Sequence, residues 1–213
     1  MPMKAAIVPV TLFEQNCTLI WDEATKAGAV VDPGGDLDRV EAAIAEIGIT
    51  VEKILLTHGH VDHAAGAAEL KEKLGGVPIE GPHVADKFLL DSLPVAAASF
   101  GMEGARAVTP DRWLGDGDTA TAAGVTFAIL HCPGHSPGSV AYVDAAHRLA
   151  LVGDVLFRGS VGRTEGLPQA DHGTLIRSIK TKLLPLGDDF AFICGHGPAS
   201  TIGQERRANP FLV

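Results

Sequence analysis

Thr57-His58-Gly59-His60-Val61-Asp62-His63 places three imidazoles and a carboxylate within six consecutive residues. It follows directly on an apolar run, residues 51–57 (V-E-K-I-L-L-T), that reads as a buried strand. On an extended turn, side chains at i and i+2 can aim the same way, while those at i+4 and i+5 come back from the start of the next helix. One such loop can therefore supply ligands to two adjacent metal sites. Imidazole nitrogen and carboxylate oxygen are the preferred ligands of a borderline cation such as zinc when thiolates are absent. The competing reading is a helix-capping loop, with Asp62 as a cap and the histidines on the surface. The density of histidine favours the metal.

Three further strand ends extend the pattern. Residues 124–130 (G-V-T-F-A-I-L) read as a strand ending in His131-Cys132-Pro133-Gly134-His135, and the Gly and Pro of that turn fix His135 at a sheet edge. Residues 149–152 run into Gly153-Asp154, and residues 189–194 run into Gly195-His196-Gly197-Pro198. Each alone is an ordinary turn residue. Together with the first loop they make five histidines and two aspartates at the ends of strands that can converge. Seven ligands are too many for one tetrahedral zinc and suit two metals sharing a bridge, a role open to Asp154 through its two oxygens. Two divalent ions, two carboxylates and a bridging hydroxide leave about one positive charge, and such a site brings the pKa of water down to about 7. No metal role falls to His83, His131, His147 or His172. His131 packs or supports the ligand loop, and His147 sits in a polar turn over residues 144–148.

The rest of the chain supplies the scaffold. Residues 4–10, 17–21 and 27–31 are strand-like, and Asp32-Pro33-Gly34-Gly35 stops the third run. Leu37, Val40, Ala43, Ile44 and Ile47 have helical spacing, giving a helix over 37–46 that ends at Gly48. A second helix is expected over 64–74, closed by Gly75-Gly76, and a third over 175–184. Residues 139–143 form another short strand. Residues 94–118 carry few periodic signals and read as a loop-rich crossing between two halves. These are β-α-β-α units around a partly parallel sheet, with polar loops at the strand ends where open α/β sheets place ligands.

Composition bounds the function classes. The chain has 213 residues, enough for one large domain with a substantial core, and is 46% hydrophobic and 20% charged. Its formal charge of −9 and the lack of any basic block argue against nucleic acid and against anionic lipid. Cys17, Cys132 and Cys194 form no C-x-x-C pair and read as reduced thiols. The start resembles no signal peptide, and no run approaches the roughly 18 apolar residues of a membrane span. The expectation is a cytoplasmic protein.

The pattern His58-x-His60-x-Asp62-His63, then His135, Asp154 and His196, resembles the metallo-β-lactamase superfamily along the whole chain. That resemblance implies an αββα sandwich, two mixed β-sheets face to face with helices outside. It also implies that His58, His60 and His135 hold one metal, and Asp62, His63 and His196 a second, with Asp154 bridging. The implied cofactors are two divalent ions, Zn2+ first, with Fe or Mn as alternatives.

Residues 31–35, 57–63, 131–138, 162–164, 182–188, 195–198 and 205–211 look like the short glyoxalase II-type bacterial branch, the hydroxyacylglutathione hydrolases. The implied reaction is hydrolysis of S-D-lactoylglutathione to D-lactate and glutathione. A metal-bridging hydroxide oriented by Asp62, the implied catalytic residue, attacks the thioester of this small-molecule substrate. There are departures. The glutathione-binding helical domain of full-length members has no counterpart, so residues 1–213 are expected to form a single domain. The Lys-x-Tyr contact is replaced by Arg163-Thr164-Glu165, leaving Arg163 as the candidate substrate contact. Rival readings are a mononuclear-iron persulfide dioxygenase using His58, His135 and Asp154, a hydrolase of lactones or β-lactams, and a binding module without turnover.

Overall fold

The computed structural model describes residues 3–213. Five strands, β1 (Met3–Val10), β2 (Gln15–Asp22), β3 (Ala27–Val31), β4 (Thr50–Leu55) and β5 (Ile79–Glu80), lie side by side in chain order. They pair antiparallel as far as β3 and parallel from β3 to β5. The next four are β6 (Thr119–Ala122), β7 (Val125–His131), β8 (Val140–Asp144) and β9 (Leu149–Gly153). A hairpin of β10 (Leu156–Phe157) and β11 (Ser160–Val161) precedes β12 (Ala191–Cys194) and β13 (Ser200–Thr201). The second sheet has the order β6-β7-β8-β9-β12-β13, and only the β9–β12 pair is parallel.

Period-two alternation makes these sheets a sandwich. In the first sheet Leu19, Val30 and Ile54 face one apolar layer, while Ile20, Val31 and Leu55 face another. In the second sheet Tyr142 and Leu151 join that shared layer, and Ala141, Val143, Ala150 and Val152 turn to a third. The outer layers are closed by helices. Leu37 and Val40 of α1 (Leu37–Ile47), Leu70 of α3 (Ala67–Lys73) and Leu93 of α5 (Leu93–Ser99) pack on the first sheet. Leu175 of α6 (His172–Ser178) and Ile202 of α7 (Ile202–Ala208) cover the second. The αββα expectation holds. Because β3, β8 and β9 are buried on both faces, their sequences read as nearly continuous apolar runs.

The sheets are joined at one seam by polar contacts. Asn16 N–H donates to Gly195 O at 2.7 Å and Val140 N–H to Thr57 O at 2.8 Å. The buried Tyr142 hydroxyl donates to Leu56 O at 2.9 Å, with Glu80 O at 3.2 Å. The loops that leave this seam carry the histidines.

Several expected elements differ. The helix expected over 64–74 is two pieces, α2 (Val61–Ala64) and α3, because Gly66 lies against Pro33 O and Leu37, where any side chain would collide. The crossing over 94–118 is helical at its start: α5 follows α4 (Lys87–Asp91), and Pro94 sits in its first turn, where proline lacks only an N–H that has no partner anyway. The helix expected over 175–184 begins earlier, at His172. There the Asp171 carboxylate caps Thr174 N–H, and the helix then widens into a π turn over Ile179–Leu183.

Removing the Tyr142 hydroxyl takes away the tie between the sheets and leaves Leu56 O without that donor. We expect Tyr142→Phe to lower the unfolding free energy by about 1–3 kcal/mol. Chemical denaturation should show this as an earlier midpoint at unchanged slope; an unmoved midpoint would mean the hydroxyl ties nothing.

Candidate metal centre

The histidine-rich loop between β4 and α2 carries His58 and His60, and the single turn of α2 carries Asp62 and His63. His135 comes from the β7–β8 loop, Asp154 follows β9, and His196 follows β12. β9 and β12 are parallel neighbours, so Asp154 and His196 leave the sheet at the same end. Gly195 makes the approach possible, since a Cβ there would fall onto the Asp154 carboxylate and the His63 ring.

All seven side chains meet. His60 Nδ1 lies 2.9 Å and His58 Nε2 3.3 Å from His135 Nε2. His196 Nε2 lies 3.1 Å from Asp62 Oδ2, and His63 Nε2 3.7 Å from the same oxygen. The donor atoms of His58, His60 and His135 lie within 4.8 Å of one another, as do those of Asp62, His63 and His196. Asp154 stands between the two groups. Its Oδ1 is 3.3 Å from His63 Nε2, and its Oδ2 is 3.5 Å from both His135 Nε2 and His196 Nε2. Asp62 is no helix cap: its carboxylate faces His196, and α2 has no side-chain cap.

The outer nitrogens set the chemistry of the inner ones. Thr57 Oγ1 donates to Asp32 Oδ2 at 2.6 Å, so it must accept from His58 Nδ1–H at 3.0 Å. His135 Nδ1–H donates to Arg163 O at 2.7 Å, His63 Nδ1–H to Asp32 Oδ2 at 3.0 Å and His196 Nδ1–H to Phe13 O at 3.1 Å. Each of these four histidines thus turns its Nε2 lone pair toward the centre. Such an arrangement repels itself unless a proton or a cation lies between the lone pairs.

The titration of the cluster says the same. Burial, with the neighbouring imidazoles, holds His58 well below the ordinary histidine value and His60 at about 3. For His63, burial is outweighed by Asp154 and Asp62, which hold its pKa well above normal. Burial is likewise overcome at His196, pulled upward by Asp62, and at Asp62 and Asp154, pulled downward by His63. Of the atoms that face the centre, His63 Nε2 and Asp154 Oδ1 are buried without a hydrogen-bond partner. That unpartnered nitrogen and oxygen, with two donor sets converging on Asp154, fit divalent ions.

Four supporting contacts were not read from the sequence, although Arg163 was singled out there for its side chain. Asp32 holds both His63 and Thr57, and its backbone is left-handed at φ 52°. Asp86 is fully buried and accepts from Gly59 N–H, Ser136 Oγ and Gly138 N–H at 2.8, 2.8 and 2.5 Å, locking the two histidine loops together. Burial raises its pKa against those donors. Phe13 and Arg163 act through their carbonyls. Asp32 was legible as the residue closing a buried strand; Asp86, Phe13 and the Arg163 carbonyl left no signal.

Arg163 borders the cavity above the cluster, and its side-chain Nε–H donates to Glu165 O at 2.8 Å. His131 stacks on His83 at 4.1 Å and donates through Nε2–H to Pro137 O at 2.8 Å, supporting the His135 loop. His147 pairs with Asp144 at 2.5 Å, and His172 lies against Phe211. Cys132 and Cys194 are buried, which pushes their thiols up to about 12 and about 11, so neither is a nucleophile. No helix among the described residues is long and apolar enough to cross a membrane.

Comparison with known proteins agrees with this geometry. The model of the metallo-beta-lactamase superfamily matches residues 10–196. Hydroxyacylglutathione hydrolase GloC of Haemophilus influenzae is 48% identical over 211 residues, covering 99% of this chain and 98% of that protein. Among solved structures, the B3 metallo-beta-lactamase BLEG-1 is 33% identical at a TM-score of 0.89, over 98% of this chain and 99% of that one. TTHA1623, solved in a di-iron-bound form, is 37% identical at a TM-score of 0.86, over 97% and 100%.

Asp32 touches no inward-facing atom, so its effect on metal can be read separately from the donor set. Asp32→Asn tolerates the left-handed backbone but turns an amide N–H₂ toward one of the donors that Asp32 now accepts. Chelator competition should show a loss of metal affinity of about 10–100-fold with an unchanged circular dichroism spectrum. Unaltered affinity would contradict the supporting role.

Proposed function

The chain belongs to the metallo-β-lactamase superfamily, and from that premise we propose that it is a binuclear metal-dependent thioester hydrolase. Its proposed substrate is an acylated glutathione, with S-D-lactoylglutathione as the test case, released as a carboxylic acid and glutathione. The supporting observation is the convergence of two complete donor sets on a shared Asp154 beneath an open cavity. The named activity of the Haemophilus influenzae relative points to the same substrate class.

In this reading His58, His60 and His135 would hold one ion, and Asp62, His63 and His196 the other, with Asp154 available to both. When bound, such a pair supplies a Lewis acid and water acidic enough to ionise near neutral pH. The chain's own groups do the remaining work. Asp62, kept ionised by the imidazoles beside it, orients the attacking water by accepting its hydrogen bond. Arg163, which borders the cavity, offers a guanidinium for a carboxylate of the carrier peptide. A leaving thiol with a pKa of about 8.5 departs as thiolate, so no strong general acid is needed. The buried cysteines offer no covalent alternative.

Zinc suits the nitrogen and oxygen donors, and iron or manganese suits them as well; the di-iron form of a 37%-identical protein keeps iron open. A mononuclear dioxygenase would use His58, His135 and Asp154 alone and leave the equally converged Asp62, His63 and His196 without a task. The binuclear reading uses all seven.

The test follows thiol release from S-D-lactoylglutathione. Chelation should abolish turnover, added Zn2+, Fe2+ or Mn2+ should restore it, and His58→Ala should lower kcat/KM by about 100-fold or more. Turnover indifferent to both chelation and His58→Ala would end the proposal. Oxygen uptake on a persulfide with one iron per chain would replace it with the dioxygenase.

A further inference from the structure

The cavity above the donor cluster has a volume of about 380 Å³, within the range that takes a drug-sized ligand. Polar groups lie on its floor, where His60, Asp62, His135 and Asp154 face upward. One wall is apolar: Phe13 from the β1–β2 turn, Leu89 from α4, Leu93 and Ala96 from α5, and Phe100 just beyond it. Leu167 and Pro168 face it from the other side. Phe13 and Phe100 meet edge to face with centroids 5.1 Å apart at 83°. Among the described residues the only hydroxyl on that wall, Ser92 Oγ, already donates to Leu89 O at 3.0 Å.

This wall is held in place by the catalytic architecture itself. The Phe13 carbonyl accepts from His196 Nδ1–H, so the same backbone that orients a donor histidine projects the Phe13 ring over the site. Phe100 stays 49% exposed, leaving an aromatic face in water beside the centre. A three-carbon lactoyl group fills little of such a cavity and reaches little of its apolar wall. The charged side of the site lies elsewhere. Arg163 also borders a second groove, of about 630 Å³, lined with Thr164, Glu165 and His172. The mixed charges there suit a zwitterionic peptide-like carrier, and the apolar wall is left for the acyl group.

Resting on the thioester reading above, we propose that Phe13, Leu93 and Phe100 form an acyl pocket selecting thioesters of apolar acyl groups, medium-length aliphatic or aryl, over small hydroxylated ones. The acyl chain lies along the Phe13–Phe100 wall with its carbonyl over the donor cluster. The carrier thiol leaves toward Arg163.

The experiment compares kcat/KM of the metal-loaded enzyme for S-acetyl-, S-butyryl-, S-hexanoyl-, S-phenylacetyl- and S-D-lactoylglutathione. The expected profile rises about three-fold per added methylene from acetyl to hexanoyl, with phenylacetyl above lactoyl. Phe100→Ser, at a half-exposed position, should melt within a few degrees of the parent and flatten the hexanoyl-to-acetyl ratio several-fold. A flat profile, or one with lactoyl the best substrate, overturns the acyl pocket while leaving the thioesterase reading intact. If none of the five thioesters is hydrolysed, the thioesterase reading fails and the pocket assignment with it.

Discussion

Four imidazole N–H groups that point away from the centre hold the site together. Because Asp32, Thr57, Arg163 O and Phe13 O fix those outer protons, the inner nitrogens of His58, His63, His135 and His196 face one another and two carboxylates as lone pairs. The arrangement is self-repelling without positive charge at its middle. With metal it is a preorganised cage, whose ordering cost was met when the chain folded. The scaffold keeps those four hydrogen bonds intact. The seam contacts of Asn16, Val140 and Tyr142 bring the two sheets' loops to one edge, and Asp86 ties the His58–His60 loop to the His135 loop.

The same economy links binding to architecture. Phe13 orients His196 through its carbonyl and walls the cavity with its ring, while Arg163 orients His135 through its carbonyl and borders two grooves. The hairpin of β10 and β11, which leads to Arg163, is itself anchored by the buried Glu205 and Asn209 of the C-terminal segment. Glu205 accepts from Gly159 N–H at 2.7 Å, and Asn209 donates to Ser160 O at 2.9 Å. Residues far from the donor atoms in sequence therefore reach the site through one intervening peptide.

The seven candidate donors were legible in the chain because metal chemistry restricts residue type so strongly. Histidines and aspartates gathered in such number at consecutive strand ends suit cation binding far better than packing or capping, and the seven candidates do converge. Eight strands were legible to within one or two residues through their apolar runs, whereas β5, β6, β10, β11 and β13 are too short to carry a pattern. Helix ends were less so. The break at Gly66 depends on Pro33 and Leu37, and α5 hides behind a proline that the eye takes for a breaker. Asp86 is an acidic residue in a polar stretch until the fold buries it completely, and backbone carbonyls such as those of Phe13 and Arg163 carry no residue-type signal at all.

Whether the cage holds two ions sharing Asp154 can be read from X-ray absorption on the metal-loaded protein, or from anomalous scattering by its crystals. Two metal centres about 3.5–4 Å apart are expected, one coordinated by His58, His60 and His135 and the other by Asp62, His63 and His196, with Asp154 common to both. A single metal under saturating conditions, or ions bound away from these seven side chains, would contradict that arrangement.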